Sequence, residues 1–132
     1  MRKRTTLALV LTTFVIGVAG AFAQSNGSTF STTVQPIFDR ECVKCHDTKH
    51  RKAKLDLSQG ESFGAIVNVP SKEEPGTVRV KPGDPDKSYL WLKLEHKTSE
   101  GDGMPKGFFS SGKLSQKDME AIRAWITAGA LP

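Results

Sequence analysis

Apolar residues recur at helical spacing in three separate stretches of this 132-residue chain. Val34, Phe38, Cys42 and Cys45 lie three or four positions apart. Thr33 is suited to cap that stretch and Pro36 to sit in its first turn, so the spacing predicts a helix over 34–45. In the second stretch Asp84 acts as cap and Pro85 as first residue, and Tyr89, Leu90, Trp91 and Leu94 make an apolar stripe over 85–94. The third opens at Ser115, with Asp118 three positions on as in a capping box. Met119, Ile122, Trp125 and Ile126 form its buried face, and Gly129 ends it. Between the helices, Leu55 and Leu57 alternate with polar neighbours, which predicts a short extended piece ending at Gly60. An apolar run over 63–69 contains Gly64. Residues 70–85 hold four prolines and two glycines around an extended Val78-Arg79-Val80, and 98–112 hold four glycines around Met104-Pro105. No internal repeat is visible.

The ends of the pattern limit the fold to one domain. Basic Met1-Arg2-Lys3-Arg4 precedes an uncharged, largely apolar run over 5–19, and Ala21-Phe22-Ala23 offers a small-x-small cleavage site. Residues 1–23 therefore read as a secretory signal peptide. The run of about 15 residues falls short of the roughly 20 that a membrane span needs, which disfavours a retained anchor. Ser, Gly and Asn make 24–33 a flexible leader, and 34–132 the domain. The formal charge of +5 shrinks once Arg2, Lys3 and Arg4 are set aside, because sixteen basic residues then face fourteen acidic ones, a balance of +2. A balance that small gives no argument for nucleic acid or for stable membrane association after cleavage. It sets no oligomeric state. The local distribution says more, because Lys49, Arg51, Lys52 and Lys54, joined by Lys44, make a basic rim that would steer an acidic partner.

The candidate chemistry lies in Cys42-Val43-Lys44-Cys45-His46. Residues at i, i+3 and i+4 share one face of a helical backbone, so two thiols and an imidazole converge on one partner. The pattern is the c-type haem attachment signature, with Cys42 and Cys45 forming thioethers to the vinyl groups and His46 binding the iron. A redox dithiol or a disulfide would not need the histidine, and zinc usually wants four ligands where this chain has two cysteines. With both cysteines in the motif, none is left for a structural disulfide. Folding is therefore expected to depend on the attached haem, whose edge, or else the first helix, would cover the 63–69 run.

A haem held by one histidine has a sixth position open. Met104 is the best candidate, glycine-flanked, stiffened by Pro105 and outside any apolar stripe. Met119 falls on the stripe of the last helix, His50 lies four residues after His46, and His96 sits at a helix end, where histidine is usually a solvated cap. Tyr89 and Trp91 could reach a haem propionate, although an aromatic stripe is more often plain core. A His46/Met104 pair saturates the iron in both oxidation states, which suits an electron carrier rather than an enzyme. A gas- or peroxide-reactive haem protein, and a haem-free thiol-disulfide protein using Cys42 and Cys45, are the competing readings.

CVKCH in a first helix, a GDGMP loop and the closing LSQKDMEAIRAWITAGA together resemble class I cytochrome c domains. VNVPS and PGDPDKSYLWLKL resemble the planctomycete-type subgroup, and the likeness runs over 34–130. The resemblance implies a mostly α cytochrome c fold in which the first and last helices cross and pack beside one covalent haem c, ligated by His46 and Met104; the long Pro/Gly-rich loops depart from compact members. With the signal peptide of residues 1–23 and the saturated iron, the expected protein is a monohaem, exported, periplasmic electron-transfer protein with protein redox partners. Domains of this subgroup often sit in larger enzymes, so a detached haem subunit of an oxidoreductase stands as the alternative.

Overall fold

The computed structural model describes residues 30–107 and 112–132, and the region expected to be a signal peptide lies outside them. Its four α-helices are α1 (Gln35–Glu41), α2 (Ser62–Ile66), α3 (Tyr89–Glu95) and α4 (Gln116–Thr127). A π-helical turn, Phe30–Val34, runs straight into α1, and 3₁₀ turns occupy Lys52–Lys54 and Pro85–Lys87. There is no strand among the described residues. The extended Val78-Arg79-Val80 makes only isolated bridges, from Val67 to Val80, Pro70 to Val78 and Val78 to Ser88. The mostly helical class that the resemblance implies is what forms, and Leu55 is extended, as its alternation with polar neighbours predicts.

The first helical segment begins and ends earlier than the spacing predicts. Phe30, within the stretch read as a leader, is buried, its ring 5.1 Å from Trp125, 5.3 Å from Phe63 and 5.8 Å from Phe38. An aromatic ring surrounded by three others gains more by burial than the Ser/Thr residues beside it gain from staying loose in water, so Phe30 belongs to the folded core. At the other end α1 stops at Glu41. Cys42 is its C-cap, and the haem motif is a separate turn rather than the helix's last turn.

The helix expected over 85–94 is divided, because Ser88 is extended between the 3₁₀ turn and α3, while α4 follows its sequence signal. The Ser115 hydroxyl accepts from the Asp118 N–H, and the Asp84 carboxylate accepts from Lys87 N–H. α4 packs on the first segment through Trp125, reinforced at the surface by Arg40 and Asp118, 2.9 Å apart. The 63–69 run divides its contacts. Phe63 lies against Phe30, while Ile66, 1 % exposed, faces a cleft beside the Cys42 turn. Buried Gln35 ties the layers together, donating to the Leu57 carbonyl at 3.0 Å and accepting from the Ser62 hydroxyl.

Phe30→Ala is expected to cost about 3–5 kcal/mol, the range for emptying a large aromatic site in a core. Denaturant unfolding of the haem-loaded protein checks this, and a cost near zero would return residues 30–33 to the leader.

Candidate functional site

The end of α1 sets the position of the attachment motif. The Cys42 and Val43 N–H groups both donate to the Phe38 carbonyl, at 2.8 and 3.0 Å, which closes the helix. The His46 N–H then donates to the Cys42 carbonyl at 3.1 Å, so Cys42 to His46 wind as one further turn. Both cysteines are free thiols and partly buried. Burial pushes the Cys42 thiol up from 9.0 to about 12, with the Glu41 carboxylate adding to the shift.

His46 is 9 % exposed. Its Nδ1 lies 3.1 Å from the Lys52 carbonyl. A carbonyl can only accept, so Nδ1 carries the proton and Nε2 keeps its lone pair. Desolvation lowers the His46 pKa against the opposing pull of the Lys52 and Leu55 backbone, which favours the neutral ring that a metal requires. The His46 carbonyl accepts from Leu57 N–H at 2.7 Å, so both ends of the loop over 47–56 are fastened to this residue. This backbone partner had no signature in the sequence, because any residue offers a carbonyl.

Beside the motif lies a cleft of about 90 Å³ with a mostly apolar lining. Cys42 and Met104, 62 positions apart in the chain, both line it, with Leu55, Leu57, Ile66, Leu90 and Leu94 as apolar wall. A smaller pocket next to it is lined by Cys42 and Cys45 on one side of the sequence and Met104, Pro105 and Lys106 on the other. His46 lines neither; its ring is held through Nδ1 on the Lys52 carbonyl.

The other candidate ligands are occupied elsewhere. Exposed His50 holds its Nδ1 3.0 Å from Asp47. His96 caps α3 in the left-handed conformation, with its Nε2 2.9 Å from the Gly112 carbonyl and its ring so close to Gly103 that a Cβ there would overlap it. Met119 packs against the core on α4. Of the two aromatic residues considered for a propionate, Tyr89 shares its hydroxyl proton between Glu73 and the Glu100 carbonyl. The buried Trp91 Nε1 has no hydrogen-bond partner among the described residues, and Arg123 lies over its ring at 5.1 Å.

Polar residues that periodicity did not single out complete the cleft. Arg79 donates to the Ala65 carbonyl at 2.8 Å and to the Ala53 carbonyl at 3.3 Å, and desolvation lowers its pKa. Lys93 and Glu73 pair at 2.8 Å. Burial works against the Lys93 charge, but the Glu73 and Tyr89 hydrogen bonds outweigh it and raise the pKa, while the Lys93 hydrogen bond holds the Glu73 carboxyl low. The one sequence signal for Lys93 was its i+4 spacing from Tyr89 within the apolar stripe.

Residues 42–106 match the family described as planctomycete cytochrome C. The chain carries a planctomycete-type cytochrome c domain. No curated protein and no solved structure matches the chain. The cytochrome domain spans the motif, the cleft walls and the Met104 loop, and it belongs to a family of haem proteins whose common work is electron transfer. The donor set fits that group: Cys42 and Met104 line the apolar cleft, Cys45 lines the adjoining pocket, and His46, outside both linings, is held through Nδ1 on the Lys52 carbonyl. Among the described residues no group of three or more His, Cys, Asp or Glu is arranged to hold a bare metal ion, and no helix is long and apolar enough to cross a membrane.

Proposed function

We propose that this chain is an exported monohaem c-type cytochrome that passes single electrons between redox partners. Cys42 and Cys45 anchor the haem, His46 is the proximal ligand and Met104 the distal one. The observation that carries the reading is the meeting of Cys42 and Met104 on the walls of one apolar cleft. Bound haem supplies an iron centre that gains and gives up one electron. The protein's residues do the rest. The Lys52 carbonyl holds the His46 ring in one tautomer, Leu55, Leu57, Ile66, Leu90 and Leu94 exclude water, and a soft thioether from Met104 favours the reduced state. Because neither ligand has to leave when an electron arrives, little reorganises.

Docking falls to the basic mouth between the motif and the Met104 loop. Lys44, Lys52 and Lys106 line it with Glu41, so the rim expected over 44–54 extends across the cleft to residue 106. An acidic redox partner fits this rim. Export follows from the signal-peptide pattern of residues 1–23.

The oxidised parent is expected to show a Met-sulfur charge-transfer band at about 700 nm that Met104→Ala removes. A parent without the band whose reduced form readily binds carbon monoxide would overturn the carrier and point to a ligand-reactive iron. Reduction by an acidic partner should slow as salt is raised, since exposed charges are screened over about 10 Å at 0.1 M. Lys44→Glu with Lys106→Glu should slow it about tenfold at low salt. A flat salt profile would assign a neutral docking surface instead.

A further inference from the structure

A loop that carries a metal-binding sulfur between glycines gains little order from its own side chains, so its position must be set from outside. In this structure the outside support is Lys93. Its side chain is 6 % exposed, in the wall of the same cleft as Met104. Its ammonium has three protons to place, and the structure provides three acceptors. They are Glu73 Oε2 at 2.8 Å, the Glu100 carbonyl at 3.1 Å and the Asp102 carbonyl at 3.0 Å. The last two belong to the loop that leads into Met104, and the Lys93 carbonyl accepts from the Met104 N–H at 2.9 Å. Tyr89, one turn earlier on α3, adds its hydroxyl to the Glu100 carbonyl at 3.1 Å. Gly101, at φ +66°, closes over the pair so tightly that a Cβ there would stand 2.7 Å from Lys93 Nζ and 2.9 Å from Glu73 Oε1.

We propose that Lys93 is a positioning residue: paired with Glu73, it clamps the loop over 100–104 and sets how often the Met104 sulfur leaves the iron. The inference rests on the reading of Met104 as distal ligand. A buried charge in a helix stripe is costly, and an apolar side chain of the same length would fill the space. What the ammonium adds is a bond to each of two loop carbonyls, which ties the loop to α3. A ligand from solution reaches the iron only in the fraction of molecules whose sulfur is off, so loosening the clamp shows as tighter binding of that ligand.

The test is imidazole titration of the oxidised, haem-loaded protein at one fixed pH, with the band at about 700 nm as second readout. Lys93→Met and Glu73→Gln are expected to weaken the band and to tighten imidazole binding about tenfold. Lys93→Arg, which keeps the charge and the donors, should restore most of both. Ile126→Val, a core change on α4, should lower the thermal midpoint and leave both readouts alone. If Lys93→Met does not mature, Glu73→Gln carries the comparison. A parent with the band whose Lys93→Met and Glu73→Gln forms bind imidazole like the parent would overturn the clamp and leave Met104 in place. So would an Ile126→Val protein that shifts as much as they do. A parent without the band, unchanged by Met104→Ala, would overturn the ligand assignment and the clamp with it.

Discussion

A haem attachment motif is useful only if the turn that bears it is held still, and here the stillness comes from the packing of the first helical segment on the last. Phe30 lies between Trp125, Phe38 and Phe63, and Arg40 reaches Asp118 across the same junction. Burial outweighs the ion pair, because an exposed pair contributes under about 1 kcal/mol, whereas a core aromatic contributes several times that. With the segment locked, the Phe38 carbonyl ends α1 at a defined place, and Cys42 stands at the cleft wall. Gln35 passes the same restraint to Leu57 and Ser62, and so to the far wall.

The cleft combines two demands that conflict in a small protein. Its floor is apolar, which suits a flat hydrophobic ring, yet it contains Arg79, Lys93 and Glu73. Arg79 is satisfied by two carbonyls and Lys93 by one carboxylate and two carbonyls, so these charges stiffen the segments around the slot instead of attracting water into it. Under the proposed function the two faces of the ring are supported differently. The proximal side depends on a single backbone carbonyl at Lys52, and the distal side on a buried ion pair holding a glycine-rich loop.

Charge is divided in a corresponding way. The Lys93–Glu73 pair sits in the cleft wall, while Lys44, Lys52 and Lys106, the last paired with Asp102, line the mouth.

Much of this was legible in the amino-acid sequence because it is local. The CxxCH spacing names its own chemistry, Ser115 announces the start of α4, and a methionine between glycines stands out because it lies on no apolar stripe. Other features have no local mark. Phe30 is one aromatic in a Ser/Thr stretch, and only the arrival of Trp125 from the other end of the chain makes it core. The Lys52 carbonyl is chemically identical to every other carbonyl, so its role beside His46 exists only once the loop over 47–56 has folded back. Lys93 looks like an ordinary helix lysine until Glu73 and the loop over 100–104 enclose it. The sequence by itself determined which groups this protein can offer to a haem; only the tertiary structure decided which of them share a cleft, because shared burial depends on contacts between residues far apart in the chain.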